Sequence, residues 1–320
     1  MPPETGAAAT SAATSPATSA ATSALASAAA SAAAPPEDQF ASLERGLDVL
    51  TVERVQHRAW WRVLLGKAVP PLLAAAVVLV AWQLVFWARV KPDYVIPSPA
   101  MVWTTVADLW HGGALQRAIR TSVSRGLLGF AVSVAIGTPL GLLVARVRPV
   151  RAALAPLLSG LQSLPSVAWV PFGIILFGLS PATIYTVVLL GAVPSIATGM
   201  IAGIDQIPPL YHRVGRVLGA RGLVAARHIV LPAAMPGYVA GLKQGWAFSW
   251  RSLMAAELIT QSARLGTGVG QLLDAGREAL DPTIVFGMII VILLVGVAID
   301  QLIFAPLERS VLRRRGLAGT

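Results

Sequence analysis

The sequence predicts an all-α integral membrane protein with six transmembrane helices. The chain has 320 residues, of which 55% are hydrophobic and only 12% are charged, whereas about 25% of the residues of an ordinary soluble domain are charged. The apolar residues are concentrated in runs of roughly 20 residues, the length that an α-helix needs to cross a bilayer. These observations exclude an ordinary soluble domain.

Six apolar stretches are long enough to cross a membrane. They cover residues 68–88, 122–145, 153–179, 183–204, 233–259 and 283–304. The third stretch contains Pro165 and Pro171. Because each proline removes a helical hydrogen bond, the two can divide this span into a half-span and a re-entrant piece.

The rest of the chain forms tails and one long loop. Residues 1–40 are rich in Ala, Ser, Thr and Pro and predict a disordered cytoplasmic tail, because such small side chains cannot offset the entropy of ordering. A cleaved signal peptide and an Ala-rich helix are the alternatives. Residues 41–67 form a predicted cytoplasmic lead-in. The six-span domain covers 68–305 with its cytoplasmic loop at 205–232, and 306–320 form a basic cytoplasmic tail.

The positions of lysine and arginine predict the orientation of the chain. Most of these residues outside the spans lie on the side that holds both termini and the loop between spans four and five. Such residues concentrate in the cytoplasm, so we expect a multi-pass plasma or inner membrane protein with both termini cytoplasmic and lipid around its spans. The net charge of +10 is dispersed between spans and does not indicate nucleic-acid binding.

Motifs for catalysis and for metal binding are absent from the sequence. The chain has no cysteine and four dispersed histidines, which excludes thiol nucleophiles and Cys-ligated metals. It contains no Walker A, G-x-S-x-G or H-E-x-x-H pattern, and these patterns place phosphate-binding, nucleophilic and zinc-binding groups. We therefore expect no catalytic residue, no metal and no bound cofactor, so any ATP must be hydrolysed by another subunit.

A short amphipathic helix is predicted on the outer side after the first span. Ser98 is a good N-cap, Pro99 suits the first helical position and Gly112 suits the end. Three apolar residues share one face of this helix: Val102, Val106 and Leu109. We expect that face to pack on the protein's own spans, with the outer membrane surface as the alternative.

The loop between spans four and five carries the most informative pattern. Pro208 and Pro209 can begin a short helix and Gly219 can end it. One face of this helix would be apolar, formed by Leu210, Val214, Val217 and Leu218. A second short helix is predicted to follow and to stop at Pro232. Two amphipathic helices favour docking on a partner protein, and packing on the membrane surface through arginines is the alternative.

These residues resemble a known family of transport proteins. Gly219 followed by Ile229, Leu231 and Pro232 resembles the G-x9-I-x-L-P core of the EAA loop, which marks permease subunits of ABC importers. Ile96-Pro97-Ser98-Pro99, and the stretches SLPSVAWVPFGIILFGLS and LKQGWAFSWRSLMAAELI, resemble the nitrate/sulfonate/taurine permeases. One departure is that the Glu-Ala-Ala of the loop is here Arg213-Val214-Gly215, which puts a Glu-like contact at position 213 in doubt.

The resemblance implies an architecture, partners and a coupling site. It implies a type I (MetI-like) ABC importer permease that pairs with a second permease copy as a homodimer, two cytoplasmic ATPase subunits that bind ATP and Mg, and an extracytoplasmic solute-binding protein. The solute would be small and mostly anionic. The ATPase-coupling residues would be Arg213, Val214, Gly215, Gly219, Ala220, Ile229, Leu231 and Pro232.

The fifth span has two different faces. Gly237, Gly241 and Gly245 recur every fourth residue and form a ridge that lets another helix approach closely. Roughly the opposite face carries four larger or charged residues, which predict a translocation path: Lys243, Trp246, Trp250 and Glu257. Lys243 and Glu257 are about 21 Å apart along a helix and cannot pair.

Two arginines at membrane depth need partners. Arg125 and Glu257 lie at matching depths near the outer ends of their spans, so an interhelical ion pair is our hypothesis, and an Arg125 side chain that extends to the headgroups is the alternative. Arg251 lies deeper, where it would either attract an anionic solute or have a structural role. Asp300 lies near the inner end of span six, where it can reach the membrane interface.

Two other functional classes are open to such a sequence. An ATPase-independent secondary transporter or channel would need acids at the midplane and often inverted repeats, and we find no convincing repeat. A membrane-embedded enzyme would need an acid/base or nucleophile cluster at one depth. Nitrate, taurine, alkanesulfonates and even neutral or cationic compounds such as thiamine precursors fit as solutes, and a sister permease could replace the second copy.

Overall fold

A computed structural model describes residues 60–92, 94–260 and 266–313 of the chain, with helices as the regular elements in these ranges. The predicted tail at 1–40 and most of the lead-in lie outside the described residues. The chain divides into two compact units, 1–75 and 76–320, and every contact reported below lies within the second.

Twelve α-helices follow one another in the described ranges. They are α1 (Trp60–Trp87), α2 (Pro99–His111), α3 (Ala114–Arg146), α4 (Arg148–Ser163), α5 (Trp169–Phe177), α6 (Pro181–Asp205), α7 (Pro209–Val217), α8 (Gly222–Ala225), α9 (Leu231–Ile259), α10 (Val269–Glu278), α11 (Pro282–Ile299) and α12 (Ala305–Arg313). A 3₁₀ turn covers Ser166–Ala168, and π-helical turns cover Ala226–Val230 and Asp300–Phe304.

Four described helices are long and apolar enough to cross a membrane. They cover Val69–Trp87, Ala114–Arg146, Pro181–Asp205 and Pro282–Arg313. The predicted third span is broken after α4, where the chain bends by 100° into the 3₁₀ turn and α5. The break lies at Pro165, and Pro171 lies in the first turn of α5, where its missing N–H costs no helical hydrogen bond.

The predicted fifth span, α9, has the length of a span but a less apolar sequence. It is 29 residues long, which corresponds to about 43 Å. Its hydropathy is lowered by four polar or charged residues: Lys243, Gln244, Arg251 and Glu257. It is therefore not among the helices whose composition is apolar enough for a membrane span. The described part therefore gives four spans, or five with the bent pair, and α9 completes the predicted six only through its length and packing.

The glycine ridge of α9 packs closely on α6, as the sequence predicts. A Cβ atom on Gly241 would lie 2.5 Å from Gly199 Cα, and one on Gly237 would lie 2.5 Å from Gly203 Cα. Two facing glycines thus allow backbone contact at two successive turns. Any larger residue at these positions would force the two helices apart.

The opposite face of α9 lies in the core. Trp246 and Trp250 are 3% and 6% exposed, and their rings stack at 6.1 Å. Phe130 on α3 meets Trp246 edge-on at 5.5 Å. Both tryptophans are therefore covered within this chain, and the path along this face of α9 stays a prediction.

Helix α2 packs on α11, which confirms the expectation that its apolar face lies against the protein's own spans. Ser98 caps it by accepting a bond from Met101 N at 3.2 Å. Val102 is buried, and Val106 fills the space that a Cβ on Gly287 would occupy.

The loop between α6 and α9 contains one separate helix instead of the two predicted. Helix α7 begins at Pro209 as predicted, and Gly219 follows its end with φ +77°. The second predicted helix does not stop at Pro232: α8 continues through the π turn into α9. Pro232 is the second residue of α9, directly after the π turn, so it lies inside the continuous helical segment and removes one of its backbone hydrogen bonds.

Candidate coupling loop and translocation site

Helix α7 ends in a Schellman turn. Gly219 N donates to Arg216 O at 3.1 Å, and Ala220 N donates to Gly215 O at 2.9 Å. This pair of bonds requires a left-handed residue between the helix and the following chain, and glycine adopts that conformation without steric cost. Gly219 and Ala220 therefore fix the direction in which the chain leaves α7.

Helix α7 presents an exposed apolar face. Val217 is 87% exposed, and four more apolar side chains are exposed with it: Leu210, Tyr211, Val214 and Leu218. Arg213 and Arg216 are exposed on the same helix. A short helix with this much uncovered apolar surface has the character of a docking element.

The inner side of α7 rests on the chain that leads into α9. Gly215 is buried, and Ile229 of the π turn lies directly against it. A cavity of about 940 Å³ opens beside this contact, with Tyr211, Val214, His228 and Pro232 among its lining residues. The predicted coupling residues thus divide into an internal contact (Gly215 and Ile229), a turn (Gly219 and Ala220) and exposed positions, which are Arg213, Val214, Leu231 and Pro232.

A bidentate ion pair lies close to this loop in the chain. Arg151 on α4 donates to both carboxylate oxygens of Asp205, at 2.8 and 2.6 Å. Both side chains are exposed, so the pair fixes geometry more than it adds stability. It connects the start of α4 to the end of α6, immediately before α7.

Helix α9 carries an exposed stripe at the depth of the spans, and two of its residues are polar. Four exposed residues follow one another at helical spacing: Ala240, Gln244, Ala247 and Arg251. The Arg251 guanidinium lies 4.5 Å from the centre of the Phe248 ring, and its Nε donates to Ala247 O at 3.2 Å. Among the described residues no carboxylate forms a salt bridge with Arg251. A guanidinium at this depth is costly unless it faces water or protein.

Arg125 and Glu257 form the ion pair that the sequence suggests. Arg125 Nη1 lies 2.8 Å from Glu257 Oε1, and Glu257 is completely buried. Ser122 donates to Glu257 Oε2 at 2.6 Å, and Gly270 N donates to the same oxygen at 3.1 Å. The carboxylate therefore joins α3, α9 and α10 in one network.

The same network holds the chain that precedes α10. Arg125 Nη2 donates to Gly266 O at 3.1 Å, and Val269 N donates to Ser122 Oγ at 2.8 Å. Gly268 and Gly270 are required here, because a Cβ on either would collide with the Glu257 side chain. The first turn of α10 is thereby fixed to the outer end of α9.

Lys243 belongs to a charged cluster that the sequence analysis did not predict. Its Nζ lies 3.6 Å from a carboxylate oxygen of Asp300 and 3.6 Å from one of Glu308. Lys243 and Asp300 are at similar distances from the outer ends of antiparallel helices, a signal that could have predicted the pair. Glu308 could not be predicted, because the π turn at Asp300–Phe304 changes the face that α12 presents.

Comparison with known proteins gives a consistent result. Residues 137–309 match the family described as binding-protein-dependent transport system inner membrane component. The putative aliphatic sulfonates transport permease protein SsuC of Bacillus subtilis is 28% identical over 76% of this chain and 87% of its own. The taurine transport system permease protein TauC of Escherichia coli is 24% identical over 79% of this chain and 94% of its own.

Two further matches extend the comparison. The nitrate import permease protein NrtB of a Synechocystis strain is 29% identical over 74% of this chain and 87% of its own. A solved structure of the MetNI methionine ABC transporter, in an inward-facing conformation, aligns with 67% of this chain and 99% of its own at 19% identity and a TM-score of 0.47. Because the family match covers more than half of its residues, the chain belongs to the binding-protein-dependent transport system inner membrane components.

Proposed function

We propose that this protein is the permease subunit of an ABC importer for a small anionic solute of the sulfonate, taurine or nitrate type. The relatives named for aliphatic sulfonates, nitrate and taurine support this class of solute. The family description supports an external solute-binding protein as a partner. In this assembly two copies of the permease would act with two cytoplasmic ATPases.

The exposed apolar face of α7 carries the coupling part of the proposal. Its side chains are exposed within the described chain, and α7 itself is fixed by the Gly219 turn and by the contact of Gly215 with Ile229. A rigid helix with one free apolar face suits insertion into a groove of another protein. ATP and Mg would bind to the ATPase, and this chain would transmit the movement of the ATPase to α9 through the continuous segment from α8.

Val217→Asp tests the coupling role. A carboxylate on the most exposed residue of the docking face would be desolvated on binding, so we expect ATP-driven uptake by the assembled transporter in proteoliposomes to fall at least tenfold. Val217→Leu is the matched control, because it keeps the face apolar and should retain most uptake. Normal uptake by Val217→Asp with the ATPase still bound would contradict the coupling role, and uptake without ATP would support a secondary transporter instead.

Arg251 carries the solute part of the proposal. Its side chain is exposed at span depth beside Gln244, so two facing copies of the stripe would give a path with two guanidinium groups. An anion passing there replaces part of its hydration shell with charge-assisted hydrogen bonds. The Arg125 guanidinium is already bound to Glu257 and serves a structural purpose.

Arg251→Gln, with Arg251→Lys as its control, tests this role. Uptake of radiolabelled taurine or nitrate should fall at least tenfold in the glutamine variant and should largely persist in the lysine variant, because lysine keeps the charge. The unfolding temperature should be similar in both variants. A large loss of stability in Arg251→Gln would instead assign this arginine a structural role.

A further inference from the structure

The outer turn between α10 and α11 has an unusual residue at its centre. Leu280 has φ +53°, the left-handed region that glycine adopts far more readily than leucine does. Leu280 N donates to Arg277 O at 3.2 Å, and Asp281 N donates to Gly276 O at 2.9 Å. This is a Schellman turn with leucine at the position where glycine is the usual residue.

Burial of the Leu280 side chain does not offset the strain of its backbone. It is 88% exposed, so it buries almost no surface among the described residues. A leucine that is both exposed and left-handed is unfavourable in two ways for the isolated fold. Such local strain occurs where the side chain or the backbone has a function outside the fold.

The turn is held rigidly despite its strain. The Asp281 carboxylate accepts bonds from Thr283 N at 2.9 Å and Thr283 Oγ1 at 2.6 Å. A Cβ on Gly276 would lie 2.7 Å from Ile284 Cγ2, so α10 and α11 are in direct contact just before the turn. Leu280 is therefore presented in a fixed position.

The Lys and Arg distribution, which predicts cytoplasmic termini, puts this turn on the outward side of the spans. Val269, at the start of α10, packs with Met288 and Val291 of α11, and Gly276 packs with Ile284 nearer the start of α11. The two helices are therefore antiparallel. Because Gly270 is bound to Glu257 near the end of α9, α10 runs from that level towards the start of α11, where the turn lies.

Polar residues surround this exposed leucine. Arg277 is largely exposed and donates to Asp274, with Nη2 at 2.6 Å, and Glu278 is exposed beside it. These residues border an open cavity of about 490 Å³ above Leu258 and Ile259. A rigid apolar side chain within a charged rim is the arrangement found at the centre of protein interfaces.

We propose that Leu280 is the residue that docks the extracytoplasmic solute-binding protein, with Arg277 and Glu278 as its polar rim. The partner would offer an apolar pocket for the leucine and polar groups around it. The proposal rests on the proposed function, since the family description supplies the external partner. A lipid surface is the competing occupant, and the outward position of the turn favours a protein.

Leu280→Gly gives a test in which stability and binding move in opposite directions. Glycine relieves the left-handed strain, so the unfolding temperature of the transporter in nanodiscs should stay the same or rise. The same variant removes the docking side chain, so the Kd of the labelled solute-binding protein should rise at least tenfold. Leu280→Met is the matched control, because it keeps an apolar side chain in the strained turn and should change the Kd less than threefold.

The other outcomes are distinguishable. An unchanged Kd in Leu280→Gly would overturn the proposal, and so would a lower unfolding temperature, which would show that Leu280 packs within the assembly. A stability change that follows the lipid composition of the nanodisc, with the Kd unchanged, would assign the residue to the membrane. Failure of the unsubstituted transporter to bind the solute-binding protein at all would overturn the proposed function itself.

Discussion

The turns after α7 and after α10 have the same backbone hydrogen bonds and different central residues. In the turn after α7 Gly219 has φ +77°, and in the turn after α10 Leu280 has φ +53°. Both turns close with a bond of 2.9 Å from the following residue, made by Ala220 N and by Asp281 N. The two turns therefore have one geometry at different steric cost.

The two turns expose apolar surface in different places. The turn after α7 is relaxed, and the exposed apolar residues lie on the helix before it, with Val217 as the most exposed. At the turn after α10 the exposed apolar residue is the strained residue itself. Glycine would adopt this left-handed backbone at less steric cost than leucine does, which is the reason for proposing a function for the leucine side chain.

The first and largest effect concerns the ion pair that holds the start of α10. Glu257→Ala leaves the buried Arg125 guanidinium without its carboxylate and Gly270 N without its acceptor. Breaking a buried ion pair in this way costs about 3–5 kcal/mol, so we expect a large fall in unfolding temperature. The exchange of Arg125 and Glu257 should rescue this only in part, since an arginine at 257 cannot accept from Gly270 N. Full rescue would show that the charge pair alone matters.

The second effect concerns the relaxed turn. Gly219→Val forces a β-branched residue into a left-handed backbone, at a cost of about 1–2 kcal/mol. We expect the permease to remain folded while ATP hydrolysis is uncoupled from uptake, because α7 loses its fixed direction. Gly219→Asn is the control, since asparagine tolerates this conformation. Coupled transport by the valine variant at the unsubstituted rate would contradict this prediction.

The third effect is a change in stability of the opposite sign at the strained turn. Leu280→Gly should stabilise the fold by about 1 kcal/mol through relief of the left-handed strain, measured as a rise in the unfolding temperature. Substitution at Gly219 and at Leu280 should therefore shift stability in opposite directions. Equal signs would mean that the two turns are not comparable.

The fourth effect is a pH dependence of the stability that Asp281 contributes at the turn after α10. The hydrogen bond that the Thr283 hydroxyl donates to the Asp281 carboxylate is the main reason why the pKa of Asp281 lies below its usual range. A depressed pKa contributes stability above the unfolded value, near 3.8, and this contribution is lost as the pH falls through the folded value. Asp281→Ala should cost about 0.5–2 kcal/mol at neutral pH and much less in acid. A pH-independent difference would place the effect elsewhere.

Much of this arrangement could be predicted from the sequence, because it depends on local chemistry. The cap at Ser98, the start at Pro209, the turn at Gly219 and the glycine ridge of α9 follow from residue type and spacing. The ion pair of Arg125 with Glu257 followed from matching depths along two helices.

The remaining features depend on contacts between distant residues. Burial of Trp246 requires Phe130 and Phe304 to lie against it, and Trp250 donates to Ile292 O on α11. Helical periodicity alone cannot distinguish a covered face from a path. The left-handed backbone of Leu280 has no signal in its own residue type, which is typical of a helix interior. The continuous passage of the chain through Pro232 depends on the π turn before it.

Site-specific crosslinking can test whether the apolar face of α7 binds the ATPase, because the chain has no cysteine of its own. A benzophenone attached at Val217→Cys should, on illumination of the assembled transporter in membranes, capture the ATPase subunit. The same probe at Leu280→Cys should not capture it. Capture of the ATPase from position 280, or its absence at position 217 in a transporter that still imports solute with ATP, would contradict the account.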